Sequence, residues 1–212
     1  MVKFSDIKNN HKIYLYAGDM AIDRITKTNK DFIGLSLTNS NNYHIKHDVT
    51  KPIELNDNTV DIYQSEDVFE HIEYLELNKV FNEIYRVLKP GGLFRLSMPD
   101  YKCDILQKRS LKDASGNIFH DPGGGGNYDF LNNKVINGGH VWFPSYNSVY
   151  YIFEKSNFNI EKVNFLHYYD SNNNPITKTI DYNMGYISRT PDNDSRVKEP
   201  YRPMSIVVDC YK

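Results

Sequence analysis

Four ionisable side chains in the middle of the chain could carry acid–base chemistry: Asp100, His120, Asp121 and His140. His140 is the preferred general base, because a neutral imidazole accepts protons near neutral pH. It follows two glycines, 138 and 139, and such a pair would let the loop fold over a pocket. The plain alternative is a histidine that is structural or lies at the surface.

The same segment also offers oxygen and nitrogen ligands for a cation. His120 and Asp121 together with Asp100 could hold a divalent metal that binds a diol. No tight ligand spacing supports this site, so the sequence predicts no metal. Cys103 and Cys210 are far apart and make neither a disulfide framework nor a zinc pattern. Such cysteine usage is typical of a reducing compartment, and we expect a cytoplasmic protein.

Composition narrows the class of protein. The chain has 212 residues, of which 40% are hydrophobic and 25% charged, as expected for one soluble globular domain. A formal net charge of −2 argues against a nucleic acid as the main partner. No apolar stretch is long enough to span a bilayer, and the N-terminus lacks the apolar core of a secretory signal.

The elements that must position these side chains follow an α/β pattern. Short apolar runs alternate with helical patterns in the first half, which favours a parallel sheet. Strands are predicted at 12–16, 32–37, 43–47, 59–63, 93–98, 158–169 and 204–211. Helices are predicted at 20–28, 72–88 and 145–155, and Pro90 with the two glycines after it ends the second of them. The last two strands are joined by a long excursion, which indicates an antiparallel edge on a mainly parallel sheet.

Residues 47–101 carry a recognisable pattern, HDVTKPIELNDNTVDIYQSEDVFEHIEYLELNKVFNEIYRVLKPGGLFRLSMPDY. This stretch resembles the class I S-adenosylmethionine-dependent methyltransferases. It is most similar to their small type 11-like group, in which an acid is followed by an EHI element, a helix, RVLKPGG and a strand ending in Pro-Asp. The resemblance implies a Rossmann-like, mainly parallel seven-stranded sheet with an antiparallel last strand and helices on both faces. It also implies a single domain, 1–212, with substrate-side insertions at 100–144 and 170–203.

The resemblance implies S-adenosyl-L-methionine as the cofactor and assigns residues to it. Asp48 would accept a hydrogen bond from the adenine amino group, and the backbone N–H of Val49 would meet a ring nitrogen. Ser36 would face the ribose. The first turn, where backbone and cofactor approach closely, would be Tyr16, Ala17 and Gly18. The methionine end and the methyl-transfer mouth would be lined by Gln64, Ser65 and Glu66.

Two departures from the family pattern lie in this predicted cofactor site. The first turn has one glycine, Gly18, instead of a GxGxG run. Ser36 stands where an acid usually binds the ribose, and a hydroxyl lacks the strength of a charge-assisted hydrogen bond. These departures keep open a binding module that has the fold but no catalysis.

The expected reaction is O-methylation of a sugar or glycan hydroxyl. The Asn-, Tyr- and Gly-rich insertion after strand five favours a polar acceptor, and the subgroup is similar to enzymes associated with polysaccharide synthesis. A sugar hydroxyl has a high pKa and benefits from a general base, the role assigned to His140. The alternatives are a methyltransferase for another small metabolite or a protein side chain. The first strand begins near residue 12, which leaves little room for the N-terminal helices that often cap such pockets. We therefore expect that a partner domain or a homodimer covers the pocket.

Overall fold

An eight-stranded sheet forms the centre of the computed structural model, which describes residues 1–7, 11–20, 27 and 30–212. The twelve strands of the described ranges are β1 (Tyr14–Ala17), β2 (Phe32–Ser36), β3 (His44–Lys46), β4 (Val60–Glu66), β5 (Leu88–Pro99), β6 (Leu111–Lys112), β7 (Ile118–His120), β8 (Asn127–Asp129), β9 (Lys134–Ile136), β10 (Val163–Tyr169), β11 (Pro175–Thr177) and β12 (Ser205–Tyr211). The order across the large sheet is β11-β10-β12-β5-β4-β1-β2-β3.

The strand directions confirm the predicted mainly parallel sheet with an antiparallel last strand. β1 pairs in parallel with β2 and β4, β2 with β3, and β4 with β5. β12 runs antiparallel between β5 and β10. The sheet has one strand more than the predicted seven, because Pro175–Thr177 in the late excursion pairs with β10. The order reverses beside β1, and ligands of such sheets bind at the carboxyl ends of the strands there.

Three α-helices are described: α1 (Leu77–Val87), α2 (Asp104–Arg109) and α3 (Tyr146–Lys155). The helix predicted at 72–88 is shorter at its start, where 69–71 and 74–76 form 3₁₀ turns. It ends at Val87, since the residue before Pro90 favours an extended backbone. Ser145 caps α3, as predicted, in a capping box with Ser148. The helix predicted at 20–28 lies outside the described residues.

The two faces of the sheet are covered differently. Side chains alternate along a strand, so Leu15, Tyr63 and Phe94 point to one face, where α1 and α3 pack on them. The other face carries Tyr16, Ile62 and Leu93 near the strand ends, and residues 180–187 of the late excursion pack farther along it. The excursion therefore serves as a covering layer of the sheet.

Arg86, the first residue of the RVLKPGG element, has a structural role. Its guanidinium donates hydrogen bonds of 2.7–2.9 Å to both oxygens of Glu83 and to Asp57. It also donates to the backbone carbonyls of Ile53 and Leu55 at 2.9 Å. One planar side chain thus fixes the loop between β3 and β4 against α1.

The insertion predicted at 100–144 contains regular structure that the sequence pattern did not indicate. α2 follows Asp100, and two short hairpins, β6–β7 and β8–β9, come after it. No helix in the described ranges has the length and apolar character that a bilayer crossing needs.

Candidate active site

A cavity of about 410 Å³ opens at the carboxyl ends of β1 and β2. Its size is in the range of small-molecule sites. The residues that line it are Gly18, Asp19, Leu35, Leu37, His47, Asp48, Val49, Asp67, Val68, His71, Ile72 and Gly138. The cavity therefore lies between four segments, which are the first turn, the end of β3, the loop after β4 and the loop that contains Gly138.

Three of the predicted cofactor residues line this cavity. Gly18 has φ +86°, and a methyl group on it would come within 2.9 Å of the Val68 side chain, so only glycine fits there. Asp48 accepts hydrogen bonds from the backbone N–H and the hydroxyl of Thr50 at 2.9 and 2.8 Å. Burial alone would raise the pKa of Asp48, but these bonds lower it, so its carboxylate is charged at neutral pH. Val49 lies beside it in the wall.

The other predicted cofactor residues lie away from the cavity lining. Tyr16 and Ala17 are buried on opposite faces of β1. Ser36 is buried beneath the loop that follows β2, where its Oγ accepts from the N–H groups of Thr38 and Asn39 at 3.1 and 2.8 Å. The Asn39 side-chain amide in turn donates to Asp19 Oδ1 at 2.8 Å. The cavity-lining carboxylate beside β2 thus belongs to Asp19, which the sequence analysis missed although it follows Gly18 directly.

The three residues predicted at the methyl-transfer mouth are buried at the end of β4, and two of them bind the late excursion. Gln64 donates to the carbonyl of Tyr186 at 2.6 Å. Glu66 accepts from the N–H and the hydroxyl of Ser188 at 2.8 and 2.7 Å and from the N–H of Arg189 at 3.1 Å. Ser65 points to the opposite face, with its hydroxyl buried. Residues 185–189 therefore cover the end of β4, where the resemblance implies the cofactor's methionine end.

His140 is fixed in a buried hydrogen-bonded chain. Its Nδ1 contacts the Tyr101 hydroxyl, which donates to Asp121 Oδ2 at 2.6 Å, and Arg109 donates to the same oxygen at 2.6 Å. Glycines pack around the ring, and a methyl group on Gly124 would come within 2.6 Å of it. The four glycines at 123–126 therefore let the backbone pack closely against neighbouring groups such as the His140 ring. Burial and the nearby His71 lower the pKa of His140 to about 3, so its imidazole is neutral.

Glu70 faces His140 across a short gap. Its Oε1 lies 3.5 Å from His140 Nε2, and the side chain is fully buried. Burial and the repulsion of Asp67 raise the pKa of Glu70 well above its usual value. Its neighbour His71 is exposed and stands at 4.7 Å, centroid to centroid, from the His140 ring.

Three hydrogen bonds tie the segment 138–142 to the turn 69–71. His71 Nδ1 donates to the carbonyl of Gly138 at 2.8 Å. The backbone N–H of Val141 donates to the carbonyl of Glu70 at 2.9 Å, and the Trp142 indole donates to the carbonyl of Phe69 at 2.9 Å. The EHI element and the loop of His140, far apart in sequence, thus form one site at the border of the cavity.

The alternative cation site considered for His120, Asp121 and Asp100 is not assembled. Asp100 accepts the N–H groups of Lys102 and Tyr169 at 3.0 and 2.9 Å. Asp121 is bound by Tyr101 and Arg109. Among the described residues, the ligand atoms that come together are those of Glu70, His71 and His140. The signal for this group was the adjacent Glu-His pair directly after a strand.

Comparison with known proteins agrees with the fold. Residues 20–96 match a family model described as a methyltransferase domain. A solved S-adenosylmethionine-dependent methyltransferase from Methanosarcina mazei is 12% identical, with a TM-score of 0.52 over 98% of this chain and 95% of that one. One from Mesorhizobium loti is 17% identical, with a TM-score of 0.52 over 94% and 90%. A comparison with curated protein sequences finds no match.

A third solved structure, a possible histamine N-methyltransferase from Thermotoga maritima, is 13% identical, with a TM-score of 0.53 over 95% of this chain and 83% of that one. At such identities the likeness concerns the fold. Together with the match over residues 20–96, it shows that the chain has the fold of the S-adenosylmethionine-dependent methyltransferases and is similar in sequence to a methyltransferase domain over those residues. The EHI and RVLKPGG elements, which carry the resemblance to the type 11-like group, lie within the matched residues.

S-adenosylmethionine is the cofactor of this class, and the cavity residues fit part of it. Leu37, Val49 and Ile72 supply apolar contacts for a flat base, and Asp48 can accept from its amino group. Asp19 supplies a carboxylate that can accept from ribose hydroxyls. The cofactor brings a methyl group on a positively charged sulfur, which the protein has only to orient and shield from water.

Proposed function

We propose that this protein transfers a methyl group from S-adenosylmethionine to a hydroxyl group of a sugar or glycan. The observation that carries the proposal is the position of the polar group Glu70, His71 and His140 at the border of the cofactor cavity. In O-methylation the acceptor oxygen bonds to the methyl carbon while the bond from that carbon to sulfur breaks. The hydroxyl proton must leave, so an acceptor of high pKa needs polar assistance at this place.

His140 is the residue that we propose for assisting the loss of that proton. Its Nδ1 is held by Tyr101, so Nε2 is the nitrogen that can act. Asp48 and Val49 are proposed to hold the adenine, as the resemblance implies. Gly18 lets the backbone approach the cofactor, and Asp19 takes the ribose role expected of Ser36.

We also propose that a partner domain or a second copy covers the cavity in the cytoplasm. Leu37 lines the cavity and is 67% exposed, which supports an apolar cover there. Cys103 and Cys210 are both free and buried, as is usual in a reducing compartment.

Titration calorimetry with S-adenosylmethionine tests the cofactor site. In Asp48→Ala we expect affinity to fall roughly ten- to a hundredfold, since a hydrogen bond to a charged group contributes about 1.5–3 kcal/mol. Asp113→Ala is the matched control, because Asp113 accepts the N–H of Ser115 at 2.9 Å in the same kind of turn but lies outside the cavity lining. If the wild-type protein gives no heat of binding, the methyltransferase function is rejected and the non-catalytic binding module is the alternative that stands.

Transfer of a labelled methyl group tests the acceptor. Monosaccharides and oligosaccharides are compared with small amines and with a peptide at equal concentrations. We expect label in the saccharides and its reduction in His140→Ala, with cofactor affinity close to that of the wild type. Label in the amines alone would contradict the hydroxyl acceptor.

A further inference from the structure

We propose that Glu70, His71 and His140 bind one divalent transition-metal ion, with Zn²⁺ as the best fit. One ligand atom from each of the three side chains lies within 4.8 Å of the other two. The turn after β4 supplies the first two residues, and the hydrogen bonds between 69–71 and 138–142 bring the third to them. The ion would lie at the border of the cofactor cavity, because His71 lines it.

The Glu70 carboxylate is the observation that points to a ligand. It is fully buried, and neither oxygen has a hydrogen-bond partner in the described part of the chain. Buried carboxylates are normally paired or bound to a metal, because desolvation of an isolated charge is costly. The gap of 3.5 Å between Glu70 Oε1 and His140 Nε2 is wide for a hydrogen bond. It is close to the edge, about 3.4 Å, of a tetrahedron with zinc–ligand distances of about 2.0–2.1 Å.

The hydrogen bonds of the two histidines leave a lone pair for the ion on each ring. Tyr101 gives its single hydroxyl proton to Asp121, so its oxygen accepts from His140 Nδ1–H, and Nε2 of that ring is unprotonated. Gly138 offers a carbonyl to His71, so Nδ1 carries the proton there too. Metal-binding histidines are oriented in this way, by donating the second ring nitrogen to a carbonyl or another oxygen.

The donor set selects the metal. Two imidazoles and one carboxylate suit Zn²⁺ and related transition metals, whereas Mg²⁺ and Ca²⁺ prefer oxygen ligands. Three protein ligands leave one position of a four-coordinate ion open, which is the arrangement of catalytic zinc. If the proposed O-methylation holds, an acceptor hydroxyl at that position would lose its proton more readily, and His140 would assist as a ligand rather than as a free base. Binding of the ion itself does not depend on the proposed function.

Metal binding is measured on untagged full-length protein that has been treated with a chelator and dialysed. Titration calorimetry with ZnCl₂ and elemental analysis after dialysis should give one ion per chain. Co²⁺ should bind at the same stoichiometry with the intense absorption of a tetrahedral site. We expect His71→Gln and Glu70→Gln to weaken Zn²⁺ binding at least tenfold.

The control is His120→Gln. His120 is also buried, with one ring nitrogen lacking a hydrogen-bond partner, but it lies outside the three-residue group, so its replacement should leave Zn²⁺ affinity unchanged. Because His71 is exposed, its variant folds even if Glu70→Gln does not. Absence of stoichiometric binding would overturn the proposal and indicate that Glu70 keeps its proton and shares it with His140. Unchanged affinity in His71→Gln would overturn it as well. A titration of S-adenosylmethionine into the same metal-free protein measures cofactor binding without the metal. It thereby distinguishes a failure of the metal site from a failure of the proposed function.

Discussion

Gly34 and His44 lie side by side on β2 and β3, and a methyl group at Gly34 would come within 2.3 Å of the His44 ring. The ring uses this space to accept a hydrogen bond from the backbone N–H of Met20 at 2.9 Å. Its other nitrogen lies 3.2 Å from the Asn41 side-chain oxygen, so it carries the proton. This hydrogen bond therefore fixes Met20, the residue directly after the cavity-lining Gly18 and Asp19. A first turn with a single glycine is fixed by a histidine from β3, two strands away in the sheet.

Gly34→Ala should displace His44 and loosen the first turn. We expect the free energy of unfolding to fall by about 1–3 kcal/mol, the usual effect of overpacking a buried site. S-adenosylmethionine affinity should fall with it. Denaturant unfolding and calorimetry measure the two effects. The control is the same change in a His44→Ala background, where the ring is gone and the milder contact with the Gly18 carbonyl at 3.0 Å remains, so the added methyl should cost much less. An equal loss in both backgrounds would show that the ring contact is not the cause.

Arg86→Lys should destabilise the fold although the charge is kept. A lysine cannot reproduce the planar set of bonds to Glu83, Asp57 and two backbone carbonyls, so we expect a loss of about 1–3 kcal/mol in the free energy of unfolding. Arg196→Lys is the matched control. It bonds to Asp194 from a side chain that is 53% exposed, and such pairs contribute about 0–1 kcal/mol. Equal effects of the two changes would contradict the role given to Arg86.

Glu66→Gln should release residues 185–189 from the end of β4. The carboxylate accepts three hydrogen bonds from Ser188 and Arg189, and an amide can accept them only weakly while turning its own N–H groups toward donors. We expect the backbone amides of these two residues to exchange hydrogen at least about tenfold faster. Amides of β12 serve as the internal reference. Faster exchange throughout β12 would indicate general unfolding instead.

Asp100 should make stability depend on pH in mildly acidic solution. Burial raises the pKa of Asp100 to about 6, while two backbone N–H bonds and Lys102 act in the opposite direction. In the unfolded chain the pKa is about 3.9, so between pH 4 and 6 the folded chain binds more protons. The contribution of Asp100 to the free energy of unfolding should therefore fall as pH rises from about 4 to 6, by about 3 kcal/mol, and then level off.

Asp100→Asn removes this titration. The stability of the wild type relative to the variant should be greatest near pH 4 and smaller at pH 7, as measured by urea unfolding at each pH. The difference between the two proteins cancels the contributions of other carboxylates, such as Glu83, whose lowered pKa acts with the opposite sign. A difference that does not change with pH would show that Asp100 titrates normally.

The sequence predicts the sheet well because its signals are local. Apolar runs bounded by turn residues locate the strands, and Pro90 with the following glycines locates the end of α1. The added strand β11 has no such signal, since it is three residues long and starts with proline. It exists because β10 offers it a free edge.

The cofactor residues are predicted less well because their roles depend on distant parts of the chain. The sequence predicts that Gln64 and Glu66 follow the fourth strand, whereas they are among its last residues. It cannot show that Gly185 packs on Gln64 and that Ser188 binds Glu66. Ser36 is turned under its loop by the backbone amides of Thr38 and Asn39. Asp48 and Val49 depend only on the end of β3, and both line the cavity.

The bonds between 69–71 and 138–142 have a consequence for the order of folding. They join positions 67 and 73 residues apart, and closing such loops costs entropy before any contact repays it. The neighbouring strands β4 and β5, joined by α1, can pair much earlier. On the ribosome, a nascent chain can thus complete these three bonds only after Trp142 has emerged.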